Sequence, residues 1–317
     1  MKDDFDPSPL GSLIAICRHP HLLVPETVRD GVKEYFARSG IQVITWHDLV
    51  PPSADYEQGR IRVGWGFLER LWARFHAYLE ALEFYESGQR ASGISTFVET
   101  TDGKSAVELL RWCVLGDGSA NRIAWPTGAP RPPAEPGMIG STTSMQAILD
   151  DASLGTLEGR VSRMYQRAVG WMILHEFAHF FESEPPAWMP LHSIEVIREM
   201  AADDWAIDAM THRDNEQDPV ERFTVLGIVG TLVSLASPNL VPAGRQYTSG
   251  HGDSLTRLRR RLKHHFKEGD LAWTAAAGFL ELELHAQDLD TPEGLSLGTD
   301  AHLAEVFRIC GGNVLGS

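Results

Sequence analysis

The chain has 317 residues, 43% of them hydrophobic and 22% charged, an ordinary globular composition that can bury one large core or two modest ones. A formal net charge of −15 argues against a nucleic-acid partner, which calls for a basic patch. The one dense basic run, Arg257 to Lys267, is short and reads as a solvated helix face or a contact between lobes.

The three cysteines, Cys17, Cys113 and Cys310, are far apart and lack metal-ligand spacing. They read as small buried hydrophobes in a reducing compartment. Met1 to Pro9 is acidic and contains proline, without the basic start and apolar stretch of a signal peptide. The most apolar segment, Phe223 to Ser237, is short for a bilayer span and suits a core helix. The expectation is a soluble cytoplasmic protein with no membrane partner; the sequence leaves the oligomeric state open.

In chain order, Ser12 to Cys17 reads as a buried strand and Ile41 to Trp46 as another. Between them, Thr27 to Ser39 carries Val28, Val32, Tyr35 and Phe36 at helical spacing and stops at Gly40, so the chain opens with a β-α-β pattern. Val63 to Ser87 is a long helix whose aromatic residues recur at core spacing. Ile94 to Glu99 reads as a third strand, Ser105 to Leu115 as a helix and Ile123 to Trp125 as a short strand. Pro126 to Pro136 holds five prolines in eleven residues and is an extended linker.

The second half is mostly helical. Leu157 to Glu182 forms one helix, stopped by Pro185 and Pro186. Ser193 caps a second helix, Ile194 to Met210. Asp218-Pro219-Val220-Glu221 supplies a cap, a proline at the first helical position and a capping-box acid for a third, ending before Pro238. Further helices fall at Ser254 to Lys267, Leu271 to Ala286 and Ala301 to Ile309. The fold class is α+β: a mixed N-terminal lobe with a small sheet, residues 1–136, and a helical lobe, residues 137–317.

The helix from Leu157 carries His175-Glu176-Phe177-Ala178-His179. Histidines four apart share a helix face and can present two imidazoles to one metal ion. Glu176 can then reach a water on that ion as general base. A catalytic zinc site needs a third protein ligand and an open position. Glu199, twenty residues after His179, allows a turn and the return of an antiparallel helix. Asp203 lies one turn further on the same face and can fix a ligating histidine's tautomer. Glu195 is the rival ligand, without the same acid behind it. For the oxyanion, His251, in a glycine-flanked loop, or Tyr247 beside it can donate. Arg257, in the next helix, can hold this region by pairing with a carboxylate. His264 and His265, adjacent on a helix, face different directions and read as solvated.

These residues resemble the gluzincin metallopeptidases, in which HExxH gives two ligands and the base and a downstream Glu gives the third. The thermolysin branch has similar spacing, with an Asp four residues after that Glu, as Glu199 and Asp203 are placed here. The prenyl-protein endopeptidase branch carries ExxAD and then a serine-histidine-proline string with an arginine six residues on. His251 to Arg257 keeps that offset, although Gly252 replaces the proline and Gly250 intervenes. Glu199-Met-Ala-Ala-Asp203-Asp-Trp205-Ala206 is also similar to the corresponding helix of soluble bacterial metallopeptidases, the Lit-like phage-exclusion peptidases above all. The resemblance spans His175 to Leu258. It implies a zincin-like helical lobe, Zn2+ as cofactor, a cytosolic endopeptidase directed at a host protein, and elongation factor Tu as the substrate known for that family. Substrate is expected extended along an edge strand, Ile94 to Glu99 or Ile123 to Trp125. The alternatives are a regulatory protein with a structural or vestigial zinc site, and a restrained defence protease awaiting a trigger.

Overall fold

The structure is a computed structural model that describes residues 13, 16–46, 49–87, 93–116, 154–181, 191–211, 219–240, 254–292 and 298–310; for 93, 191–196, 219–221 and 239 it describes the backbone alone. The strand expected at Ile123 to Trp125, the proline-rich linker with the lobe division, Tyr247 and His251 lie outside the described residues.

Ten α-helices and three strands are described. They are α1 (Glu26–Ser39), β1 (Gln42–Trp46), β2 (Ser53–Asp55), β3 (Arg60–Gly64), α2 (Trp65–Glu86), α3 (Gly93–Glu99), α4 (Thr101–Leu115), α5 (Leu157–Ala178), α6 (Leu191–Thr211), α7 (Pro219–Ala236), α8 (Ser254–His265), α9 (Leu271–Ala286) and α10 (Asp300–Ile309). The class is α+β, as the sequence pattern indicates. Threonines start three of the helices: Thr100, Thr156 and Thr299 each accept a hydrogen bond from the backbone N–H three residues on. Gly40 ends α1 in the left-handed conformation, at φ 68°, which costs a glycine little. No described helix is long and apolar enough to cross a membrane.

Two of the strands expected from sequence are not strands. Leu13 and Ile16 are helical, and with Cys17 they are buried at the i, i+3, i+4 spacing of a helix face. Ile94 to Glu99 belongs to α3, which turns Ile94 and Phe97 into the core. Both are short apolar runs with β-branched residues, where periodicity alone does not separate strand from helix. The opening is therefore not β-α-β. β1 instead pairs in parallel with β3, while β2 pairs antiparallel with β3, giving the order β1-β3-β2 with β2 at an edge.

One hydrophobic cluster holds the described elements together, drawing on residues from both sides of the proline-rich stretch. α5 is its axis. Almost every side chain from Gly159 to Phe177 is buried, and α5 packs on α2, α6 and α7. The α5–α7 approach is close enough to need a glycine: a Cβ on Gly227 would lie 2.6 Å from the Met164 carbonyl oxygen and 2.9 Å from the Ala168 nitrogen. At the far end, the fully buried Glu283 of α9 accepts from the Tyr78 hydroxyl at 2.5 Å and lies 3.1 Å from Arg74 Nε. Ser237 donates to its other oxygen. A charge without solvent is retained here because a guanidinium and two hydroxyls surround it.

Gly227→Ala is expected to destabilise by about 1–3 kcal/mol in urea unfolding, since neither helix backbone can yield to the added carbon. A second expectation concerns Glu281 on α9, whose Oε1 lies 3.3 Å from His302 Nε2 of α10. Burial pushes the Glu281 carboxyl from an ordinary 4.5 up to about 7, and pushes His302 down to about 4. A carboxyl raised in the folded state costs nothing below its unfolded value. Its penalty grows as pH rises to 7 and is complete above it. Glu281→Gln should therefore raise stability at pH 8, on the order of 3 kcal/mol, and match the wild type near pH 4.5. Thermal melts at the two pH values check this.

Candidate metal centre

His175 and His179 project from one face near the end of α5, where the helix tightens into a 3-10 turn, His179–Phe181. α6 packs against α5 and brings Glu199 and Asp203, one turn apart, to that face. His175 Nε2 and His179 Nε2 are 3.2 Å apart, and each lies 3.4 Å from a Glu199 oxygen. Ligands about 2.05 Å from a tetrahedral ion must be separated from one another by about 3.3 Å, which is close to the separation of the two imidazole nitrogens and of each from its own oxygen of the Glu199 carboxylate, Oε2 for His175 and Oε1 for His179. Glu195, the rival ligand, falls where only the backbone of α6 is described.

Behind the ligands, Asp203 has no solvent exposure and its Oδ1 lies 3.0 Å from His175 Nδ1. This carboxylate directs the other ring nitrogen towards Glu199 and His179. Arg257, from α8, grips Asp203 with two donors, Nε to Oδ2 at 2.6 Å and Nη2 to Oδ1 at 2.5 Å. Its Nη1 reaches Glu199 Oε2 at 2.8 Å. Arg257 is thus not a solvated basic residue but a buried fork joining α8 to α6. Arg261, one turn on, meets Asp204 and the Met200 carbonyl. Arg259 and Lys263 pair with Asp300 of α10. Four members of the basic run, Arg257, Arg259, Arg261 and Lys263, thus pair with carboxylates of this chain.

Glu176 lies next to the ligands, with Oε1 4.0 Å from His175 Nε2 and its side chain 12% exposed. Burial raises its carboxyl above the ordinary value; the two histidines lower it, Glu199 raises it, and the N–H of Ala54 on edge strand β2 lowers it by donating to it. Sequence reasoning did not find Ala54, because a backbone donor leaves no residue-type signal. At Asp203, burial would raise the carboxyl, but Arg257 and His175 bring it down to about 2. At His175, burial would lower the imidazole, but Asp203 and Glu199 carry it up to about 9.

The charges explain why. Three carboxylates, the buried Asp203 and the partly buried Glu176 and Glu199, face the Arg257 guanidinium, while Arg261 Nε lies 3.8 Å from Asp203 and is shared with Asp204. A divalent ion would balance the remainder; a proton on His175 does so in part. The donor set of two imidazoles and a carboxylate suits zinc or another borderline divalent ion.

Replacing Arg257 by Leu strands Asp203 in the interior and is expected to cost about 3 kcal/mol in urea unfolding. Arg257→Lys should recover only part of that, since one ammonium cannot bond both carboxylates as the fork does.

No curated protein and no solved structure matches the chain. A family model described as peptidase U49 matches residues 61–276. That stretch runs from β3 through α2, α5, α6 and α8 into α9, and so includes every residue of the centre described above except Ala54. The chain belongs to the peptidase U49 family, the Lit-like peptidases.

Proposed function

We propose that this peptidase is a zinc-dependent endopeptidase that hydrolyses a peptide bond in a protein substrate. The observation that supports the reading most directly is the convergence of His175 and His179, 3.2 Å apart at Nε2, each 3.4 Å from one oxygen of the Glu199 carboxylate, with Glu176 beside them. His175, His179 and Glu199 would hold the ion, and Glu176 would be the base. When bound, zinc supplies a Lewis acid that acidifies water and polarises the scissile carbonyl.

The chain's own groups do the rest. Glu176 takes the proton of the attacking water and passes it to the leaving amine. Its partial burial keeps its basicity above that of a solvated carboxylate, with the Ala54 N–H a minor opposing influence. Asp203 holds the His175 ring, and Arg257 keeps Asp203 ionised. The oxyanion donor is assigned to His251 or Tyr247, both outside the described residues. Of the two edge strands expected to receive substrate, Ile94 to Glu99 is helical, and β2 is the described edge that packs against α5. An extended peptide beside β2 would lie next to Glu176. The protein would act in the cytoplasm. The Lit-like resemblance makes a host translation factor, elongation factor Tu, the first substrate to assay, with the protease serving in phage defence.

Glu176→Gln should bind zinc as the wild type does yet lose about 10²–10⁴-fold in turnover, while His179→Ala should lose both metal and activity. Chelation should abolish cleavage, and added zinc restore it. Metal analysis and a cleavage assay on a cytosolic proteome check these outcomes. Full biological effect from Glu176→Gln would favour the alternative, a partner-binding protein with a structural zinc site.

A further inference from the structure

We propose a second divalent-cation site, independent of the first, between the outer face of α6 and the end of α8. It is built from Asp204, His264 and His265 and suits a borderline ion such as zinc or nickel. The ligand atoms of these three residues lie within 4.8 Å of one another. Sequence alone sets adjacent histidines apart on a helix. At the last turn of α8 the two rings meet edge to face, with centroids 4.7 Å apart.

His265 carries the argument. Its side chain is only 9% exposed, and its Nε2 lies 2.7 Å from Asp204 Oδ1. Its Nδ1 is turned to Asp208, with Oδ1 at 3.6 Å. As at the first centre, where Asp203 sits behind His175, one ring nitrogen faces the ligand set and the other a carboxylate, but Asp208 is exposed and further off than the buried Asp203. A histidine oriented by one carboxylate, with its other nitrogen beside a second carboxylate and a second imidazole, is prepared to ligate. The ion would replace the His265–Asp204 hydrogen bond. Arg261 also bonds Asp204. Arg261 and His265 both meet Asp204 at Oδ1, so the guanidinium can keep that oxygen while an ion takes Oδ2, and its positive charge makes this the weaker of the two sites.

The position gives the site a structural consequence. Arg257, Arg261 and the His264–His265 pair fall along one face of α8, and each meets α6. A bound ion would fasten the far end of the helix pair whose near end is the Arg257–Asp203 fork.

The test is zinc binding to the full chain by equilibrium dialysis with metal analysis. The wild type should bind two zinc ions. His175→Ala/His179→Ala should keep one, and zinc should raise the melting temperature of that variant. Adding His264→Ala, at an exposed position that the fold does not need, should remove both the ion and the shift. Asp208→Asn should weaken the second site about tenfold. A His175→Ala/His179→Ala protein that binds no zinc, or that binds it undiminished after His264→Ala, overturns the proposal. If a single ion is lost with His264→Ala but survives His175→Ala/His179→Ala, the second site is upheld and the zinc reading of the first centre fails.

Discussion

A carboxylate with no access to solvent, Asp203, sits where three helices meet, and the arrangement of the candidate centre depends on it. Burying that charge is costly, and the cost is offset by the two-pronged Arg257 contact on one side and the His175 ring on the other. Each partner comes from a different helix, so the pairing that solvates Asp203 also fixes α5, α6 and α8 relative to one another. The His175 ring orientation, the reach of Glu199 and the burial of Arg257 all follow from this one junction. The stabilising contact and the ligand geometry are the same set of atoms.

The rest of the core supplies rigidity around that junction. α5 is buried along nearly its full length, and α7 approaches it so closely that Gly227 has no room for a side chain. A second buried ionic group, Glu283 with Arg74, Tyr78 and Ser237, ties α9 to α2 and to the turn after α7. Both clusters lie where helices cross rather than on a surface. Interior charges with incomplete partners would open these crossings; fully partnered, they select one packing of otherwise interchangeable apolar helices.

The electrostatics of the candidate centre are dominated by acids. Three carboxylates converge on Arg257, with Arg261 on the far side of Asp203, and the imidazole of His175 is drawn towards its protonated form by Asp203 and Glu199. Glu176 is one of these acids, and burial raises its carboxyl while the two histidines lower it. The small sheet packs β2 and β3 against the helix that carries Glu176.

Much of this was legible in the residues alone. HExxH on an apolar helix, with ExxAD twenty residues on, specified which side chains share a face, because helical spacing is local and rigid. The same rule located the long helices and the stop at Gly40. It failed where local spacing is degenerate. The runs at Ser12 to Cys17 and Ile94 to Glu99 are short and apolar enough for either structure, and only the packing of Ile16 and Phe97 in the core selected helix. Contacts between distant elements also required the tertiary structure. Periodicity assigns a face to Arg257 and His265 but not the neighbour that face meets: a carboxylate partner for Arg257 was expected without the helix that supplies it, and His265 was read as solvated when α6 covers it with Asp204. The sequence determined the chemical groups and their order along each helix; the crossing of α5, α6 and α8 decided which of those groups touch, because that crossing is set by the shape of the whole core and not by any one segment.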